Sequence, residues 1–149
     1  MSRCDSGKRP TEGIAVDASY LSSVDRTDYQ GVDIATGERL FMHELGRNRT
    51  INQGEFLAIV HACQFIIEND FRPRTVYSDS MVAIKWFKDK RTASSKSNPA
   101  IKKAEIFLKA LDDDIQGIEV KYWDNDAWGE TPADFGRKAN VHKIPDSAI

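Results

Sequence analysis

The sequence predicts an α/β domain built on a five-stranded mixed sheet, with three antiparallel strands, then two parallel to the first, and helices on its faces. Three observations carry this. Gly13-Ile14-Ala15-Val16-Asp17-Ala18-Ser19-Tyr20 is apolar except for one carboxylate and its polar end, and reads as a buried strand. Thr36-Gly37 lies between two β-prone runs, Asp28 to Ala35 and Arg39 to Leu45, as the turn of a hairpin. Beyond residue 50, helical periodicity alternates with short β-prone runs. A strand reached through a helix lies parallel to its sheet neighbour, with a right-handed crossover.

The 149 residues, 40% hydrophobic and 30% charged, suit one ordinary domain. Residues 1–12 show no periodicity and read as a disordered tail, residues 13–142 as the domain, and 143–149 as a C-terminal tail. No apolar run approaches the roughly 20 residues that cross a bilayer, and the start lacks the apolar segment of a signal peptide. A cytoplasmic protein with no membrane partner is therefore expected. Cys4 and Cys63 have neither the number nor the spacing of a disulfide framework or metal site, and are expected to be free thiols.

The loop Arg47 to Gln53 precedes a long helix from Gly54 to about Asn69, with Thr50 or Asn52 as its cap. Ile59, Ala62 and Ile66 share one face of it, and Glu55 heads the same column. Pro73 separates this helix from the strand Thr75 to Asp79. Ser80 to Lys90 is helical, which sets Asp79 at a strand-to-helix junction where an acid can also be a cap. Pro99 starts a helix with the stripe Ile101, Ala104, Leu108, Leu111 and Ile115, and Asp112-Asp113-Asp114 falls at its unfavourable end. Ile118, Val120 and Tyr122 alternate with Glu119, Lys121 and Trp123 in a last strand. Asp124 to Glu130 reads as a loop. Thr131-Pro132-Ala133-Asp134 then has the signature of a capped last helix.

Asp17 is the residue that demands an explanation, since a carboxylate in a buried strand must be paired, hydrogen-bonded or bound to a cation. Glu55, Asp79 and Asp134 each have a structural explanation alone, as helix-terminal acids or caps. Together with Asp17 they are four acids at the functional ends of four elements. Converging carboxylates repel, so the set makes physical sense as a site for hard divalent cations with oxygen ligands. The charge pattern adds a polyanion. Lys85 to Lys109 holds eight basic and two acidic residues, +6 in a chain of net −2, which is either a solvated helix face or a basic belt beside an acidic site.

At these positions the chain resembles the type 1 ribonuclease H family over roughly residues 12 to 142. Asp17 with Ala18-Ser19 is similar to that family's first-strand aspartate, although a glycine commonly follows there. Glu55 after Thr50-Ile51-Asn52-Gln53 resembles the first-helix glutamate with its approach loop. Tyr77-Ser78-Asp79-Ser80 resembles the motif after the fourth strand, and Ala133-Asp134 the fourth acid. The resemblance implies hydrolysis of the RNA strand of RNA–DNA hybrids, leaving 5′-phosphate and 3′-hydroxyl ends. It implies two Mg²⁺ or Mn²⁺ ions held by Asp17, Glu55, Asp79 and Asp134. By the same analogy Ser19, Arg49, Thr50, Asn52, Gln53, Ser80, Trp86, Lys88, Lys90 and Arg91 meet the nucleic acid, with Trp86 equally readable as a core residue. A monomer is expected.

Two departures from the pattern bear on activity. The segment Asp124 to Glu130 lacks the histidine many relatives carry there, and His142 lies beyond it, while His43 and His61 read as surface residues. The segment 91–98 is too short for an extended basic handle. The alternatives are therefore a catalytically weak or inactive nucleic-acid-binding module of the same fold, or a related resolvase- or integrase-like nuclease.

Overall fold

The computed structural model describes residues 8–46, 50–92 and 99–136. Strand β1 (Ile14–Leu21) is followed by a 3-10 turn and by β2 (Arg26–Asp33) and β3 (Arg39–Gly46). Then come helix α1 (Ile51–Asn69), β4 (Thr75–Ser78), α2 (Met81–Asp89), α3 (Pro99–Ala110), α4 (Asp112–Gln116), β5 (Glu119–Tyr122) and the single turn α5 (Asn125–Trp128). The strands form one five-stranded sheet in the order β3-β2-β1-β4-β5. Strands β1, β2 and β3 are antiparallel neighbours, while β4 is parallel to β1 and β5 to β4. This is the predicted sheet, and β1 is its centre.

The hairpin closes at the expected turn, where the Gly37 amide donates to the Asp33 carbonyl at 2.7 Å and the Asp33 amide to the Glu38 carbonyl at 2.8 Å. Helix α1 starts three residues earlier than expected. Its cap is Thr50, whose hydroxyl accepts from the Gln53 amide while the Gln53 side chain accepts from the Thr50 amide. This reciprocal pair satisfies two of the donors a helix start leaves open. The buried side of α1 packs on β1 and β2, where Ile14, Val16 and Ala18 join Phe56, Ile59, Ala62, Cys63 and Ile66 in the main core. On the other side of the sheet Ala15, Val32 and Ala133 form a small second cluster.

Several expectations change. Leu111 divides the predicted helix after Pro99 in two, so Asp112, Asp113 and Asp114 occupy the first turn of α4, where acids favour the dipole. Trp123, expected on the outer face of β5, is fully buried, because its ring meets Tyr77 and Trp128 edge-on and carries the Arg9 guanidinium 5.1 Å above it. Arg9 thus touches the domain, although its stretch reads as a tail. Residues 1–7 and 143–149, with Cys4 and His142, lie outside the described residues; Cys63 is a buried free thiol. The predicted loop 124–130 contains α5. Thr131 to Gly136 is a turn rather than the start of a helix, and residues from 137 on lie outside the described residues. His61 is half-buried, not a surface residue, stacked on Phe41 with centroids 4.0 Å apart and bonded through Nδ1 to the Tyr29 hydroxyl at 2.8 Å. Among the described residues no helix is long and apolar enough to cross a membrane.

Candidate active site

The register of β1 and β4 aligns Ile14 with Val76 and Ala15 with Tyr77. Extended by two residues, it sets Asp17 level with Asp79, one residue past the end of β4. Carboxyl ends of parallel strands are where open α/β sheets usually bind ligands. Glu55 arrives from α1 because the helix crosses β1 closely. A Cβ on Gly54 would sit 3.0 Å from the Ala18 Cβ and 2.9 Å from Thr27 Cγ2, so only glycine permits this approach.

Asp17, Glu55 and Asp79 each offer a carboxylate oxygen within 4.8 Å of the other two. Asp17 is 5% exposed and Glu55 6%, and Asp79 is half-buried. The electrostatic consequence is large. Burial, and then the charge of Asp79, push the Asp17 carboxyl up to about 7 from the usual 3.8. Burial, then the charge of Asp17, raise Glu55 well above the ordinary carboxyl range. The two share a hydrogen bond, and the Ala18 amide donates to the pair. Glu55 Oε1 is buried with no partner. Three converging hard oxygen donors, their repulsion and an orphaned carboxylate oxygen are the chemistry that suits a hard divalent cation. The three acids could hold such an ion.

Asp134 stands apart from this trio. Its charge is felt at Asp17, as the smallest of the influences raising that group, but it is not among the three clustered acids. Its carboxylate accepts from the Gly136 amide at 2.8 Å, in a local turn rather than the expected capping box. Sequence reasoning missed what anchors this segment. Gln30, the β2 partner of Asp17, donates its amide to the Ala133 carbonyl at 2.6 Å and so ties the segment to the sheet. Buried glutamine in a strand was the available signal. The other missed residue is Asn125, whose amide donates to Asp79 Oδ2 at 2.8 Å.

The expected nucleic-acid contacts divide. Ser19, Asn52 and Thr50 are half-buried, with Thr50 engaged as a cap. Ser80 caps α2 by accepting from the Ala83 amide. Gln53 is fully buried and spent on the cap of α1, which removes it from any surface a nucleic acid would touch. Trp86 is 8% exposed and edge-on to Phe56, so it is a core residue. Lys90 is ion-paired with Asp112 at 2.8 Å, whereas Lys88 and Arg91 are exposed. Arg49 lies outside the described residues.

Sheet order, crossover pattern and the trio of acids gathered from β1, α1 and the end of β4 define a ribonuclease H-type domain. Residues 33–113, more than half of the chain, match the model of the family described as reverse transcriptase-like. The chain belongs to this ribonuclease H-like, reverse transcriptase-like family. Among solved structures it is similar to RNase H1 from the halophilic archaeon Halobacterium salinarum, at 16% identity over 73% of this chain and 80% of that one, with a TM-score of 0.42. It is also similar to the N-terminal RNase H domain of a Mycobacterium tuberculosis protein, at 13% identity over 73% and 85%, TM-score 0.47. A third is an RNase H1 isolated from compost by a metagenomic approach, at 14% identity over 72% and 79%, TM-score 0.49.

Proposed function

We propose that this chain is a metal-dependent endonuclease that hydrolyses the RNA strand of RNA–DNA hybrids, leaving 5′-phosphate and 3′-hydroxyl ends. The observation that carries the reading is the convergence of Asp17, Glu55 and Asp79 in a family of ribonuclease H type. Two divalent ions, Mg²⁺ or Mn²⁺, would supply an activated water and the charge that steadies the leaving oxygen in phosphodiester cleavage.

The protein's part is to hold that site. Asp17, on the central strand, is held by its pairing with Gln30 of β2. Glu55 is carried on a helix whose start is capped by Thr50 and whose approach depends on Gly54. Asp79 is held by the Asn125 amide. Asp134, tethered through Gln30, is the fourth ligand in this reading. With cations bound, the repulsion between carboxylates would be offset and Asp134 would add a fourth oxygen donor. RNA is distinguished from DNA by its 2′-hydroxyls in a wide, shallow minor groove. Ser19 and Asn52, both half-buried, are the side chains this reading assigns to that groove, and Lys88 and Arg91, both exposed, those it assigns to phosphate.

The test is one end-labelled sequence prepared as RNA–DNA hybrid, double-stranded RNA, double-stranded DNA and four-way junction, with Mg²⁺, Mn²⁺ or chelator. Metal-dependent cutting confined to the RNA strand of the hybrid is expected. The missing histidine in Asp124 to Glu130 favours one rival, a binding module without catalysis. That rival predicts hybrid bound and no substrate cut with either metal.

A further inference from the structure

Asp79 sits on a short link between β4 and α2, and its neighbours Ser78 and Ser80 are occupied elsewhere. Ser78 Oγ accepts from the Ser80 amide at 3.1 Å, and Ser80 Oγ caps α2. Neither holds the Asp79 carboxylate. The group that does so comes from 46 residues further along, where the Asn125 amide nitrogen lies 2.8 Å from Asp79 Oδ2. The amide has one sensible orientation here, since turning it would set oxygen against oxygen.

The platform under Asn125 is fastened from both ends. Trp123, fully buried, donates its backbone amide to the Ser78 carbonyl at 2.8 Å and its indole Nε1–H to the Gly129 carbonyl at 2.9 Å. Its ring meets Trp128 edge-on at 5.1 Å. Asp124 caps the turn by accepting from the Asp126 and Ala127 amides at 3.0 and 3.1 Å. The first residue of α5 is thereby held against the end of β4. At the same time Asn125 Oδ1 is buried with no partner. A buried amide oxygen left unbonded is costly, so stability alone does not explain an asparagine at this position.

We infer that Asn125 is a positioning residue that orients the Asp79 carboxylate for a divalent cation, its amide holding Oδ2 so that the other oxygen faces Asp17 and Glu55. Partners behind a metal ligand fix its orientation, and their removal typically lowers metal affinity by about 10- to 100-fold. This inference rests on the metal-site reading above.

The experiment is titration of the metal-free 149-residue chain with MnCl₂ by calorimetry, for the wild type and for Asn125→Leu, Asn125→Ala and Asn125→His. Leucine keeps the volume and removes the amide; histidine can place an Nδ1–H near the amide nitrogen. Mn²⁺ affinity falling about tenfold or more in the leucine or alanine variant, with a native circular dichroism spectrum, and recovering to within about threefold in the histidine variant, is the expected result. Undiminished affinity in a folded leucine or alanine variant overturns the assignment of Asn125 alone. So does a loss that histidine does not repair. A wild type that binds no Mn²⁺ overturns the metal-site reading and this assignment together.

Discussion

Gly54 and Ala18 meet where helix α1 crosses strand β1, so closely that a Cβ on Gly54 would lie 3.0 Å from that of Ala18. The contact lies one residue before Glu55 and one after Asp17, and it sets the separation of these two acids. Gly54→Ala adds helix propensity, worth about 1 kcal/mol. It also drives a methyl into Thr27 and Ala18, both buried, an overpacking that costs about 1–3 kcal/mol. Net destabilisation of about 1 kcal/mol in urea unfolding is expected, with weaker Mn²⁺ binding as Glu55 is pushed away from Asp17. Unchanged stability and binding would show that the helix has room this geometry denies it.

Asp17→Asn keeps the shape of the side chain and removes its charge. Cleavage of hybrid should fall at least about a hundredfold, since an amide cannot replace an anionic ligand. The metal-free variant should nevertheless melt higher than the wild type at pH 8, because repulsion with Asp79 and the cost of burying an anion are both relieved. Near wild-type cleavage by this variant would remove Asp17 from the site.

The raised acids also predict how metal-free stability depends on pH. Asp17 has its folded-state value at about 7, against 3.8 in the unfolded chain, and Glu55 is shifted the same way. Between those values the folded state holds the extra protons, so stability falls as pH rises through the window from about 4 to 7 and stays low above it. His61 acts in the opposite sense: burial lowers it, so its contribution is lost as pH falls. The difference between wild type and Asp17→Asn, measured by urea unfolding at pH 5 and pH 8, isolates the acid. It should be larger at pH 8, and Mn²⁺ should remove it by stabilising only the wild type.

The basic belt is testable through salt. Lys88→Ala and Arg91→Ala should weaken hybrid binding and reduce the slope of log affinity against log salt by roughly 0.7–0.9 for each phosphate no longer neutralised. Lys90→Ala should leave the slope nearly unchanged, because that lysine is already paired with Asp112. A slope indifferent to Lys88 and Arg91 would assign the belt to a solvated surface.

The sheet was readable because its signals are local. The buried strand read from Gly13 to Tyr20, the Thr36-Gly37 turn and the Pro73 and Pro99 boundaries each follow from neighbouring residues. The trio was readable for a related reason: an acid in a buried strand and acids at element ends stand out before any tertiary neighbour is known. Trp86 was half-readable, since helical periodicity shows a face but not what covers it. Gln53 escaped because a capping glutamine and a surface glutamine look alike in sequence. Leu111 gave no sign that the helix breaks there.

What the sequence by itself determined is the order of the five strands, the core stripes and the positions of Asp17, Glu55 and Asp79. These depend on periodicities of 2 and 3.6 and on turn chemistry, which act over a few residues. Only the tertiary structure decided that Gly54 lets the helix close on β1, that Gln30 anchors Ala133, and that Asn125 holds Asp79 while Asp134 stands apart. Gln30 meets a residue 103 positions away and Asn125 one 46 positions away, and such pairings arise only when the sheet has brought distant segments together.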